Sequence, residues 1–410
     1  MSRSRSEAML VTSWVMTVST FQLFVVVVLA ATLIDDLGLT RWQIGALGAV
    51  NTGVGAVLAP RLGRIADRIG ARWAIVAVVI VSALGLALTA AAVDYWMLVV
   101  ASAVAGIPQG SGNSVTNKVI AEEVPPSAQG SVTGVKQSGV QVAVFLSGAL
   151  LPTSAATIGW RWALVAFAGF TLVTGALIGL RRTAPPPTER SPRAPTAGRE
   201  PLAGYVYRVA FYALLLGMTA GGVTRFYPLF AQEVLGFTEV TAGLAVSLTG
   251  LAAIAARLVW GGLADRAISS PSALRVQAVG GAVTVVLLLA AQGVAAWLLW
   301  PAVAVAAFTI MAWNVVAMLT VIRSVPVGQS GRATGVVILG FLGGLTISAP
   351  LVGLAIDRLG SYRPVWIALG ALSLAGAAVI SSPVSAGDQA ATGASVPTSQ
   401  AKAPNHRTPM

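Results

Sequence analysis

Apolar runs of bilayer length, separated by connections of a few residues, leave this chain one way to fold. They recur at about 9–34, 42–60, 73–92, 96–120, 127–152 and 162–180. They return at about 207–232, 239–260, 274–292, 298–322, 330–356 and 363–381. Crossing the hydrocarbon core takes about 20 predominantly apolar residues in a helix, so these runs read as twelve transmembrane helices. Charged residues make up 10% of the chain, against about 25% in a soluble domain, so lipid must solvate most of the exterior. The first run exceeds the roughly 7–15 apolar residues of a cleavable leader and reads as a retained span.

The remaining segments differ in character. Residues 1–8 form a polar N-terminal tail, 9–180 a first set of six spans, and 181–206 a linker opening on Arg181-Arg182-Thr183-Ala184-Pro185-Pro186-Pro187. Residues 207–381 hold a second set of six, and 382–410 an Ala/Ser/Thr/Pro-rich tail expected to be disordered. Arginines crowd the connections on one side (Arg61, Arg64, Arg68, Arg72, Arg181, Arg182, Arg266, Arg323). The other side carries Arg41, Arg161, Arg358 and Arg363. That asymmetry places the crowded side, and with it both termini, in the cytoplasm of a cell whose inner membrane the protein spans. It also accounts for the net charge of +12 without a nucleic-acid partner; the lipid bilayer is the expected large-scale partner, and a monomer the expected state.

The chain repeats itself. Gly63-Arg64-Ile65-Ala66-Asp67-Arg68-Ile69-Gly70-Ala71-Arg72 sits between spans 2 and 3, leaving room for no more than a tight turn, and Gly262-Leu263-Ala264-Asp265-Arg266 again follows an apolar run, between spans 8 and 9. Asp67 and Asp265 stand 198 positions apart, as do Gly45 and Gly243. Gly130, Thr133-Gly134-Val135 and Gly139 return at Gly331, Thr334-Gly335-Val336 and Gly340, an offset of 201. Six spans repeated in one orientation give two parallel bundles related by a pseudo-two-fold axis, with a substrate site near the midplane between them.

Gly63-x-x-x-Asp67-Arg68-x-Gly70-x-Arg72 resembles the signature loop between spans 2 and 3 of the major facilitator superfamily, and the weaker copy at Gly262, Asp265 and Arg266 falls where that family repeats it. The outer turns Gly159-Trp160-Arg161-Trp162 and Asp357–Pro364 are similar to the family's as well. Ala71 stands where the family usually has an arginine. The resemblance covers about residues 9–381 and implies an all-α integral membrane fold of two six-helix bundles that moves solutes by alternating access. It further implies a conformational gate at Gly63, Asp67, Arg68, Gly70 and Arg72, echoed at Gly262, Asp265 and Arg266. In that gate Asp67 meets the start of span 11, near Gly331-Arg332-Ala333, when the carrier is outward-open. The competing reading is that the glycines shape a turn and the arginines fix topology.

Polar side chains inside a span face a partner helix or a water-filled cavity. Gln109, Asn113 and Asn117 share one face of span 4 at i, i+4, i+8. Span 5 carries Lys136, Gln137 and Gln141, span 7 Arg225, span 10 Trp313-Asn314, and span 1 Gln22. All are candidate substrate-binding residues. Lys136-Gln137 aligns with Val337-Ile338 in the second half. Fold demands act on both copies, so a polar pair in one copy points to a local role. The competing readings are snorkelling for Lys136, a pair with Glu233 for Arg225, and inter-helix hydrogen bonding for the amides of span 4.

No Asp or Glu falls deep in an expected span, so a counter-charge for these basic groups would come from the substrate. This favours uptake of a small organic anion, with a co-transported proton or other ion as an open partner. The alternative is a proton-coupled multidrug or natural-product exporter. Two absences weigh against it: Ser102 where many proton-coupled members have arginine in span 4, and no proline in the run Ser138-Gly139-Val140-Gln141-Val142-Ala143 after Gly134. No nucleotide loop, metal cluster or nucleophile–histidine pair is present, so no cofactor, catalytic residue or metal ligand is expected. The single histidine is His406, and there is no cysteine.

Overall fold

The computed structural model describes residues 3–181, 202–266, 270–325 and 329–381. The described residues form helices α1 (Arg3–Val28), α2 (Ala30–Leu37), α3 (Arg41–Ala90), α4 (Tyr95–Glu123), α5 (Pro126–Ile158) and α6 (Trp160–Arg181). They continue with α7 (Gly204–Glu233), α8 (Glu239–Arg266), α9 (Ser270–Gly293), α10 (Leu299–Phe308), α11 (Trp313–Ser324), α12 (Ser330–Leu359) and α13 (Arg363–Ser381). Helices α1 and α2 make one crossing, as do α10 and α11, while α3 makes two. The twelve crossings are therefore present. Call the side holding Arg3 and Ser381 the termini side, and the other the far side. The tail at 382–410 and most of the linker lie outside the described residues.

Three expected spans have a different form. The first begins at Arg3, within the expected tail, and breaks at Leu29. The tenth is interrupted between Phe308 and Trp313, where the Thr309 hydroxyl bonds back to the Val305 carbonyl and no proline is involved. The seventh begins at Gly204 rather than near 207.

The turn between spans 2 and 3 is a single residue. Gly70 has φ 82° and ψ 161° inside an otherwise continuous α3. That region of backbone space is essentially reserved for glycine and costs other residues about 1–3 kcal/mol. A Gly70→Ala variant should lose stability by roughly that amount, read as a lowered thermal unfolding midpoint in detergent; an unchanged midpoint would show that the hairpin relaxes freely.

By length and composition, ten helices among the described residues can cross a membrane. Helix α4 is not one of them, because Pro108, Gln109, Asn113, Asn117 and Lys118 dilute its apolar surface. Such a helix is stable in a bilayer only with its polar face turned to protein or to a cavity.

The repeat is visible in the seams between bundles. In one seam α3 packs on α12, with Gly45 against the Ala349 carbonyl and Gly353 against Arg41. In the other α5 packs on α8, with Gly148 against Gly243 and Gly250 against Gln141. Gly45 and Gly243, matched by the repeat, hold equivalent places in the two seams. Small residues let helix backbones approach closely where lipid provides no hydrophobic drive.

Candidate functional site

The polar faces of α4 and α5 meet. The Lys136 ammonium donates to Asn117 Oδ1, and Gln137 Nε2 donates to Asn113 Oδ1 at 3.4 Å. Lys136 lies ten residues into α5, about 15 Å along its axis, and is 1% exposed. Its amine turns to α4 instead of snorkelling to the termini side. At the matched place in the second half Val337 is equally buried, so the position belongs to the core of both bundles and is basic in one.

Arg225 is 4% exposed, eight residues in from the far end of α7, about 12 Å deep. The expected pair with Glu233 does not form; Glu233 is taken by Arg41 and Tyr362. The Arg225 guanidinium instead lies against Gly48 of α3, where a Cβ would collide with it, and its Nη1 has no partner. It therefore reaches from the second bundle into the first. A Gly48→Ala variant displaces the flexible end of Arg225 without touching backbone. It should fold normally and lose transport about 10–100-fold, the worth of one charge-assisted hydrogen bond at about 1.5–3 kcal/mol. Transport and unfolding measured on the same preparation check this, and intact transport would remove Arg225 from the site.

A third basic group, half-buried, went unseen in the sequence. Arg257 of α8 donates from Nη1 to the Gln137 carbonyl at 3.2 Å, and its Nε is buried without a partner. The signal was available but weak, since Arg257 stands three residues from the end of the apolar run although nine inside the end of α8. Among the described residues, none of Lys136, Arg225 and Arg257 forms an ion pair with a carboxylate. Burying an ionised group without a counter-charge costs several kcal/mol, so each of these groups would gain from an anion.

The other candidates are not bonded into this cluster. Gln22 donates to Thr89 Oγ1 at 2.5 Å within the first bundle, leaving its Oε1 unpartnered. Gln109 Oε1 and Asn314 Oδ1 are likewise buried without partners, the latter at the start of α11 just past the break. Trp313 stacks on Phe341 with centroids 4.2 Å apart. Gln141 is buried in the α5–α8 seam.

The bundles are tied together on the far side. Arg41 Nη2 reaches Glu233 Oε1 at 2.8 Å and Arg41 Nη1 reaches Asp357 Oδ1 at 3.3 Å. The Trp42 backbone N–H donates to Asp357 at 2.8 Å, and the Tyr362 hydroxyl donates to Glu233 at 2.6 Å. On the termini side Asp67 is 71% exposed and stands 3.9 Å from Lys118 of its own bundle, which also holds Glu122 at 2.9 Å. Asp67 thus makes its ion pair within the first bundle and not with the start of α12. Arg68 is exposed, Arg72 lies over the Trp73 ring, and Gly63 faces Ser114. Gly262, Asp265 and Arg266 belong to the last turns of α8.

Two repeated bundles tied together at one end, with polar side chains buried among their helices, have the architecture of a membrane transporter. The chain belongs to the Major Facilitator Superfamily, whose family model matches residues 12–346. Two solved structures of a bacterial homologue of the human lysosomal transporter Spinster share the fold. The inward-facing occupied form gives a TM-score of 0.76 at 15% identity, covering 93% of this chain and 97% of that one. The inward-facing unoccupied form gives 0.72 at 16%, covering 93% and 95%. The hexuronate transporter of Bacillus subtilis (strain 168) is 26% identical over 179 residues, 43% of this chain and 42% of that protein. The matched region thus spans less than half the length of that curated relative.

Proposed function

We propose that this transporter carries a small organic anion by alternating access, with uptake favoured, and that sugar acids are the first class to test. The observation that supports this is the set of basic groups, buried Lys136 and Arg225 and half-buried Arg257, with no carboxylate paired to any of them among the described residues. A carboxylate cargo would supply the missing charge, and Asn113, Asn117 and Gln137 would take its hydroxyl groups. The likeness to a hexuronate transporter fits the same chemistry. A cationic drug would need an acid where these basic groups stand, which disfavours the exporter reading.

In this reading the termini side faces the cytoplasm, as the arginine asymmetry suggests, the membrane is the cell's inner one, and the unit is a monomer. Asp67 acts as a latch that is released while the far side is sealed and engages α12 when the far side opens. A proton or another ion supplies the gradient.

The test is reconstitution into proteoliposomes with radiolabelled glucuronate, in competition with aliphatic carboxylates, neutral sugars and cationic dyes, with and without a protonophore. Saturable glucuronate uptake competed by carboxylates is expected. Transport confined to cationic dyes would overturn the reading.

A further inference from the structure

Arg257, one of the basic groups behind the reading above, differs from the other two in where it sits. It sits on α8 of the second bundle, while Lys136 sits on α5 of the first, and α5 and α8 form one of the two seams. Arg257 Nη1 lies on the carbonyl of Gln137, the residue next to Lys136. This bond lies nearer the termini side than those that join Ser247 to Phe145 and Arg41 and Trp42 to Glu233 and Asp357. The Arg257 Nε is buried and unpartnered. A guanidinium held by one neutral carbonyl, with a free donor beside it, prefers a carboxylate, because charge-assisted hydrogen bonds are roughly twice as strong as neutral ones.

We propose that Arg257 is a cargo-binding residue that takes the anion from the second bundle opposite Lys136, and that the two together make closure of the termini side depend on bound anion. The proposal rests on the anion reading above and adds a consequence to it. To open the far side, the bundles must rock so that the termini-side parts of α5 and α8 approach. In the empty protein this drives two like charges together in a low-dielectric interior, where the repulsion is much stronger than in water. An anion between them turns that repulsion into attraction. The loaded carrier therefore returns readily and the empty one does not, so exchange of anion for anion outpaces net flux.

The chain has no cysteine, which allows clean site labelling. Ser127→Cys, exposed at the start of α5, and Leu263→Cys, exposed near the end of α8, carry spin labels that report the opening of the termini side by pulsed electron resonance in lipid nanodiscs. In carboxylate-free buffer the parent should show the long distance. Arg257→Gln and Lys136→Gln should each raise the short-distance population about tenfold, whereas Arg257→Lys, which keeps the charge, should stay long. Excess glucuronate should shorten the distance in the parent and add little in Arg257→Gln. In proteoliposomes, glucuronate exchange should exceed net efflux in the parent and equal it in Arg257→Gln.

Unchanged anion-free distances in both glutamine variants overturn the proposal whatever glucuronate does. Equal shifts in Arg257→Gln and Arg257→Lys also overturn it, because they assign the effect to the lost bond with Gln137. Shortening by glucuronate in the parent without the anion-free shift leaves the anion reading standing and removes Arg257. Lys136→Gln keeps the test open should Arg257→Gln fail to fold.

Discussion

Anion transport should collapse by about 100- to 10,000-fold in the double variant Lys136→Gln, Arg225→Gln, each hydrogen bond to a charged group being worth about 1.5–3 kcal/mol. The same substitutions should leave thermal stability unchanged or higher. Both groups are buried without a carboxylate partner, so neutralising them removes a desolvation cost that nothing in the protein offsets. A glutamine at 136 can still donate to Asn117. The opposite movement of function and stability separates a binding role from a structural one, since loss of a structural buried charge would lower both. Initial rates of glucuronate uptake and the unfolding midpoint, taken on the same preparations, give the two readouts. Uptake within threefold of the parent would dismiss both residues from the site. A large fall in the midpoint would recast them as scaffold.

Architecture was legible because it is written locally and twice. Apolar runs give the crossings, and repeated glycines at 45 and 243 mark the two seams. The contrast of Lys136 with Val337 marked a place where one bundle is basic and the other apolar, and the i, i+4 spacing put Asn113 and Asn117 on one helix face, which in the fold meets α5. What escaped depends on distant partners. The break after Phe308 carries no proline, and Gly280 of α9 lies against Thr309 there, so it is set by packing. Arg225 was offered Glu233 as the nearest acid on its helix, but Arg41, 192 residues away from Glu233 in sequence, claims it. No local pattern reports a competition of that kind. Arg257 was hidden differently: the apolar run around it ends near residue 260, which puts it at the edge of a span, whereas α8 continues to Arg266.

Opening of the far side should become about tenfold easier in Arg41→Ala. Arg41 bonds Glu233 of α7 and Asp357 of α12 at once, joining the start of α3 to two helices of the other bundle. Side-chain exposures of 33%, 23% and 21% for the three residues mean that water screens these pairs. Each is then worth nearer the about 0.2–1 kcal/mol of a surface bridge than a buried one. Two such bridges sum to about 0.4–2 kcal/mol, a range that includes the 1.4 kcal/mol of a tenfold change in population. Ser247→Cys places a thiol in the α5–α8 seam, where the native hydroxyl bonds the Phe145 carbonyl and the residue is 5% exposed. Its alkylation by a membrane-impermeant maleimide from the far side should accelerate about tenfold when Arg41 is removed, in step with that population. High salt should speed the parent and leave Arg41→Ala unaffected, because screening acts on the pairs that the variant lacks. Asp357→Asn keeps an acceptor for the Trp42 N–H while losing one pair, so it should fall between the two. Equal rates in all three proteins would mean that the glycine-lined seams alone hold the far side shut and that the Arg41 bridges form only after closure.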